Sequence, residues 1–116
     1  MSWGVIELEP EVEAWIRSLD RDSMGTVVFY VDLLAEHGVL LGEPYTRQLD
    51  GKLRELRFHL DRDAVRITYW IAPGRRIILL TVFRKQRDRE RGEVVRAQRA
   101  MKRCAAEGHT LDEEES

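Results

Sequence analysis

The chain has 116 residues, 43% hydrophobic and 34% charged, with a net charge of −2 and one cysteine. That length supports a single core in an ordinary globular domain. One thiol excludes an internal disulfide, no Cys/His cluster has zinc-site spacing, and no apolar run approaches the ~20 residues of a membrane span. The start, Met-Ser-Trp-Gly, lacks the basic-then-apolar pattern of a secretion signal. Cys104 therefore reads as a reduced thiol in a cytoplasmic protein, with no metal or cofactor expected.

A short apolar stretch, Trp3 to Leu8, precedes Glu9-Pro10-Glu11, where proline suits the first helical position and the acids suit the positive helix end. Val12, Trp15, Ile16 and Leu19 recur at helical spacing and predict an amphipathic helix to about Leu19. Asp22-Ser23 is the expected cap of a second helix, which Gly38 ends, so the two form an antiparallel hairpin. After the loop Gly42-Glu43-Pro44 the apolar period changes from about 3.6 to 2. Three strands follow, Lys52 to His59, Ala64 to Ala72 and Arg76 to Phe83, with turns at Asp61-Arg62-Asp63 and Pro73-Gly74. Such short connections imply an antiparallel meander. A charged run from Arg84 to Arg89 leads to a last helix, about Glu90 to Glu107, which Gly108 would terminate. The expected class is α+β: a helical hairpin on a small, mainly antiparallel twisted sheet, plus a C-terminal helix. Residues 1–108 form one domain in this reading, and 109–116 an acidic disordered tail.

The net charge conceals a strong asymmetry. Residues 1–43 carry two basic and nine acidic side chains, residues 44–103 carry 17 basic and seven acidic, and residues 104–116 carry five acidic. A polyanion responds to fields within a Debye length of ~10 Å, so the middle block suits a nucleic-acid partner. The plainer reading is a solvated arginine-rich surface balanced by neighbouring acids.

Alternation across strands sorts the middle block by face. Leu56 and Phe58, with Val65, Ile67, Tyr69 and Ile71, form an apolar side. Glu55, Arg57 and His59, with Arg66, Thr68 and Trp70, form the other. With the hairpin covering the apolar side, the second is expected to be a partly open surface on which two guanidiniums can bind a phosphate bidentately. Arg84 and Lys85 would lie at its edge, and Trp70 could stack on a base. The plainer reading is that Glu55 pairs with Arg57 or Arg66 across strands. In the last helix, Arg96, Arg99 and Arg103 line one side at helical spacing, either as a solvated face or as a track for RNA phosphates.

Three segments carry a resemblance: Leu49-Asp50-Gly51-Lys52-Leu53-Arg54-Glu55-Leu56-Arg57, Arg66-Ile67-Thr68-Tyr69-Trp70, and Leu79-Leu80-Thr81-Val82-Phe83-Arg84-Lys85. With Ala97 and Arg99-Ala100 they resemble the phage-derived HigB-type branch of the RelE/ParE toxin superfamily, over about residues 49 to 100. The resemblance implies a RelE-like toxin of a type II toxin–antitoxin pair. Its nuclease members enter the ribosomal A site and cut messenger RNA through attack of the ribose 2′-hydroxyl on the adjacent phosphate, without a metal. It implies Arg66 and Lys85 as phosphate stabilisers, Arg57 and Arg54 as substrate-positioning cations, and Glu55 or His59 as proton acceptor. Lys52, Arg84, Arg87, Arg96, Arg99 and Arg103 would contact RNA. The implied partners are a cognate antitoxin of helix-turn-helix type, the ribosome and mRNA, with no membrane. Many superfamily nucleases carry a Tyr or His near the C-terminus, where this chain has only His109. Two other readings therefore stand beside the nuclease: a ParE-like toxin that binds DNA gyrase, and a non-catalytic RNA- or antitoxin-binding module.

Overall fold

The expected meander forms the centre of the sheet, and two further strands extend it. The computed structural model describes residues 2–86 and 90–107. In chain order it contains β1 (Val5–Leu8), α1 (Pro10–Arg17), α2 (Arg21–His37), a 3-10 turn (Gly38–Leu40), β2 (Thr46–Asp50), β3 (Leu53–Leu60), β4 (Asp63–Ala72), β5 (Arg76–Arg84) and α3 (Glu90–Ala106). The strand order is β1-β5-β4-β3-β2. Strands β2 to β5 pair antiparallel, while β1 runs parallel to β5 from Val5↔Arg76 to Leu8↔Leu79. Four residues of β1 have too little pattern to declare themselves, and a partner some 70 residues away makes them a strand. Thr46–Asp50 is polar and short, and it becomes a strand by pairing with β3.

The second helix begins earlier than its expected cap. Asp20, not Asp22, occupies the cap position and its Oδ1 accepts the Ser23 N–H at 2.7 Å. Asp22 instead falls in the first turn, near the positive end of the helix. At the other end Gly38 does stop the helix, with φ 53°. The Trp3 N–H donates to Ala35 O at 2.9 Å, which brings the indole against this turn.

Helices cover both faces of the sheet. Helices α1 and α2 pack on one face, where Val12, Val27, Leu34, Leu56, Ile67, Tyr69, Ile77 and Leu79 are fully or almost fully buried in one cluster. Helix α3 packs on the other through Ala97, Ala100 and Cys104, which meet Leu53, Trp70, Ile78 and Leu80. Small residues at this spacing allow a helix to approach closely. The face expected to be partly open is thus half covered. Trp70 is buried under α3 rather than displayed for stacking, because Leu53, Trp70 and Ile78 lie side by side across β3, β4 and β5 and give α3 an apolar seat. Cys104 is buried there too, and burial pushes its thiol up to about 11, so it stays protonated near neutrality.

Helix α3 is also tied to the bare edge of β5. Strand β1 ends opposite Leu79, and beyond it Glu11 Oε2 accepts the Val82 N–H at 2.9 Å while Arg96 Nη2 donates to Val82 O at 3.3 Å. Arg96 pairs in turn with Glu11 and with Glu93. These side chains satisfy backbone groups that would otherwise form an unpaired sheet edge.

A Cβ at Gly38 would overlap the Trp3 indole and would hold a left-handed backbone that L-residues resist. Gly38→Ala should therefore lose about 2 kcal/mol or more in urea unfolding. A loss within 0.5 kcal/mol would mean that Trp3 is not seated against the turn.

Candidate anion-binding site

The site originates in strand register. Arg57 of β3 lies directly opposite Arg66 of β4, with the neighbouring pairs Glu55↔Thr68 and His59↔Ala64. Residues directly opposite share a face, so Glu55, Arg57, His59 and Arg66 lie on the α3 side. After β5, the Lys85 N–H donates to Ala64 O at 2.8 Å, which places Lys85 in the row of Ala64 and His59. Two adjacent rows thus hold both arginines, the histidine and the lysine. Inter-strand spacing sets His59 and Lys85 about 10 Å apart at Cα.

Burial differs sharply among these groups. Glu55 is 2% exposed and Arg66 5%, whereas the Arg57 side chain is 24% exposed and His59 and Lys85 are open. Glu55 Oε2 lies 3.6 Å from Arg57 Nε and 3.7 Å from Arg66 Nε, close enough for charge attraction but too far for hydrogen bonding. Arg66 Nη1 donates to Val65 O at 3.1 Å. Glu55 Oε1, Arg57 Nε and Arg66 Nε are buried without hydrogen-bond partners. Two cations against one carboxylate leave the cluster net positive, with donors unsatisfied, an arrangement that favours an oxyanion.

Ionisation behaviour follows from this packing. Burial raises the Glu55 carboxyl above its ordinary value, against the lowering pull of Arg66 and Arg57. Burial, then the neighbouring Arg57, lowers Arg66, and Glu55 opposes both. Charge attraction therefore does not fully offset removal from water at Glu55.

The cluster opens into a pocket of about 340 Å³ lined by Tyr30, Pro44, Tyr45, Arg57, Phe58, His59 and Arg66. It forms where β2 stops. Thr46 is opposite Leu56, so β3 beyond that point has no full neighbour, apart from an Arg57 N–H bond of 2.8 Å to Tyr45 O. Tyr30 stacks on Phe58 with ring centroids 5.0 Å apart, and Tyr45 lies 6.5 Å from Tyr30. No α3 residue lines this pocket.

The structure brings together Arg57, Arg66, Glu55, His59 and Lys85, and it separates the other expected RNA contacts from them. Arg54 faces the α1/α2 side. There its Nε donates to the Tyr69 hydroxyl at 3.3 Å and its Nη2 to Thr46 Oγ1 at 3.0 Å, holding the start of β2. Lys52 lies in the β2–β3 turn, five residues from Arg57 or about 17 Å at the rise of a strand. Arg84 alternates to the face opposite Lys85 and pairs with Asp63 at 3.1 Å. Arg96 is engaged by Glu11 and Glu93, while Arg99 and Arg103 share a groove with Glu9, Glu11 and Glu107. Arg87 and His109 lie outside the described residues, as does the stretch 109–116. Sequence reasoning missed Tyr30 and Tyr45, which line the Arg57/Arg66 pocket, and Arg47, whose register partner is Glu55. The available signal for Arg47 was the weak alternation in Thr46-Arg47-Gln48-Leu49-Asp50. Among the described residues no His, Cys, Asp or Glu group could hold a metal ion, and no helix is long and apolar enough to cross a membrane.

Helices on both faces of a five-stranded sheet, with a basic cluster at one end, define a small α+β protein of RelE-like fold. A solved structure of the Escherichia coli toxin RelE, a double arginine-to-alanine mutant in the free state, superimposes with a TM-score of 0.60. The match covers 89% of this chain and 98% of that one at 13% identity. The chain belongs to the phage-derived Gp49-like family, which it matches over residues 14–112. It is also 34% identical over 79 residues to the Mycobacterium tuberculosis protein named "Putative toxin HigB3", covering 63% of this chain and 66% of that one. The alignment thus spans just under two thirds of that relative.

A pH dependence of stability follows from Glu55. Because its native pKa is raised, the stability it contributes is complete below the ordinary value of 4.5 and is lost as pH rises through the native value. The urea midpoint should fall across that window, and Glu55→Gln should flatten the limb. An unchanged slope in Glu55→Gln would assign the effect to another group.

Proposed function

We propose that this protein is the toxin of a type II toxin–antitoxin pair, held in check by a helix-turn-helix antitoxin, and that it cuts ribosome-bound messenger RNA at the Arg57/Arg66 pocket. The observation that carries this reading is the placement of Arg57, Arg66 and His59 around a pocket of small-ligand size, with Lys85 in the same row as His59. Family membership and the RelE-like fold support it.

The chemistry needs four services. The ribose 2′-oxygen must lie in line with the phosphorus, lose its proton, form the new P–O bond, and allow the 5′-oxygen to leave with a proton. The products are a 2′,3′-cyclic phosphate and a 5′-hydroxyl. Arg66, fixed by β4 and by its bond to Val65 O, offers preorganised charge to the phosphate oxygens. Arg57, more exposed, orients the same group, and Lys85 approaches from the opposite side of the row. His59 lines the pocket and acts as proton acceptor. Glu55 lies behind the arginines and acts as a positioning residue, holding both guanidiniums. Tyr30 and Tyr45 supply aromatic surface for a base beside the scissile phosphate.

Removing one preorganised donor from such a site costs about 10²–10³ in rate. Arg66→Ala and Lys85→Ala should therefore relieve growth arrest while the protein still binds its antitoxin. Mapping of RNA ends after induction should give cuts in phase with the reading frame, lost in both variants. Intact mRNA with accumulated cleaved DNA would instead support the gyrase-binding reading. Intact mRNA and intact DNA would support the non-catalytic one.

A further inference from the structure

A second cavity is lined by Glu55, the carboxylate that faces both arginines of the first pocket. It has a volume of about 480 Å³ and lies between β2 and the first turns of α3, with Arg47, Leu49, Glu55, Arg91, Val94 and Val95 in its lining. Arg47 and Glu55 are register partners and share the α3 face. Glu55 thus belongs to two environments: its Oε2 attends Arg57 and Arg66, and its residue lines this second space.

Glu55 Oε1 has no hydrogen-bond partner, in a side chain that is 2% exposed. A buried carboxylate oxygen in that state gains from any donor that reaches it. Around it, Leu49, Val94 and Val95 offer apolar walls, and Arg47 and Arg91 supply positive charge. A flat apolar ring with an amine on its edge, attached to a phosphate, matches all three requirements. The position fits as well, because one residue links this cavity to the pair of arginines.

Resting on the reading of the first pocket as an RNA site, we propose that this cavity is a base subsite for a nucleotide next to the scissile phosphate. The exocyclic amine of adenine, cytosine or guanine donates to Glu55. Uracil fits poorly, since it presents its imide N–H between two carbonyl oxygens, which the carboxylates of Glu55 and Glu90 repel. Glu55 is then both the positioning residue for the arginines and the group that selects the adjoining base.

Nucleotide binding tests this without any cleavage. The full chain carrying Arg66→Ala is titrated with AMP, IMP, CMP and UMP, and backbone amide shifts are followed by NMR. The two pairs differ in an amine against a carbonyl. AMP and CMP should shift Leu49, Val94 and Val95 and bind about ten-fold more tightly than IMP and UMP, the value of one hydrogen bond to a buried charge. Glu55→Gln, whose amide both donates and accepts, should bring the ratio close to one. Val95→Trp, at an exposed helix position, should block all four ligands while leaving the remaining spectrum unchanged. Equal binding within each pair, or discrimination that survives in Glu55→Gln, would overturn the proposal. Failure of the nuclease reading would appear separately, as intact mRNA after induction.

Discussion

The pairing of β3 with β4 fixes the geometry of the candidate site. It sets Arg57 opposite Arg66 and Glu55 opposite Thr68, so two like charges that would repel across a sheet are held together. What makes that tolerable is the carboxylate of Glu55, buried within reach of both guanidiniums. The apolar partners on the other face, Leu56↔Ile67 and Phe58↔Val65, leave the register no freedom, because a slip of one residue would turn those side chains out of the core. The hydrophobic face thus supplies the energy that keeps an electrostatically costly cluster in place. Thr68 and Thr81 continue the polar row with a hydroxyl pair at 2.5 Å, and Thr68 Oγ1 accepts the Thr81 N–H at 3.1 Å, so no buried hydroxyl there is wasted.

Helix α3 divides the same face into two territories. Its small residues close over the Leu53–Trp70–Ile78 end, and the Arg57–Arg66 end lies beyond. The cations sort accordingly. Arg54 and Arg96 are structural: one pins β2 through Tyr69 and Thr46, and the other closes the β5 edge with Glu11. Arg57, Arg66 and Lys85 lie in two neighbouring rows and form the set proposed to hold an anion. Among the described residues the strongly basic middle block thus includes arginines that hold the fold, arginines on a groove beside acids, and a small set grouped at one end of the sheet. The acidic N-terminal segment reads differently in this light. Glu11 and Glu7 serve as docking anions for α3 and β5, with Glu7 gripping Arg76 at 2.6 Å and 3.0 Å.

How legible this was depended on the range of the interaction concerned. The α+β class, the Gly38 stop, the three-strand meander and the sorting of Glu55, Arg57, His59 and Arg66 to one face all follow from period and alternation, which neighbouring residues dictate. Even the resemblance to HigB-type toxins rested on short segments: the end of β2 with its turn into β3, stretches of β4 and β5, and three residues of α3. The cap of α2 was misplaced by two residues because Asp20 and Asp22 are chemically alike, and only the start of the helix tells them apart.

Other features needed the third dimension. No local pattern marks β1, whose partner is β5, nor β2, whose polar residues become a strand by lying against β3. Nothing in the α3 sequence says that it covers Trp70, or that Arg96 turns to Glu11 instead of solvent. Chain-local physics decided which side of each element a residue occupies, since backbone geometry alone sets that. Only packing decided which sides are roofed and how deeply Glu55 is removed from water, because those depend on contacts between segments far apart along the chain.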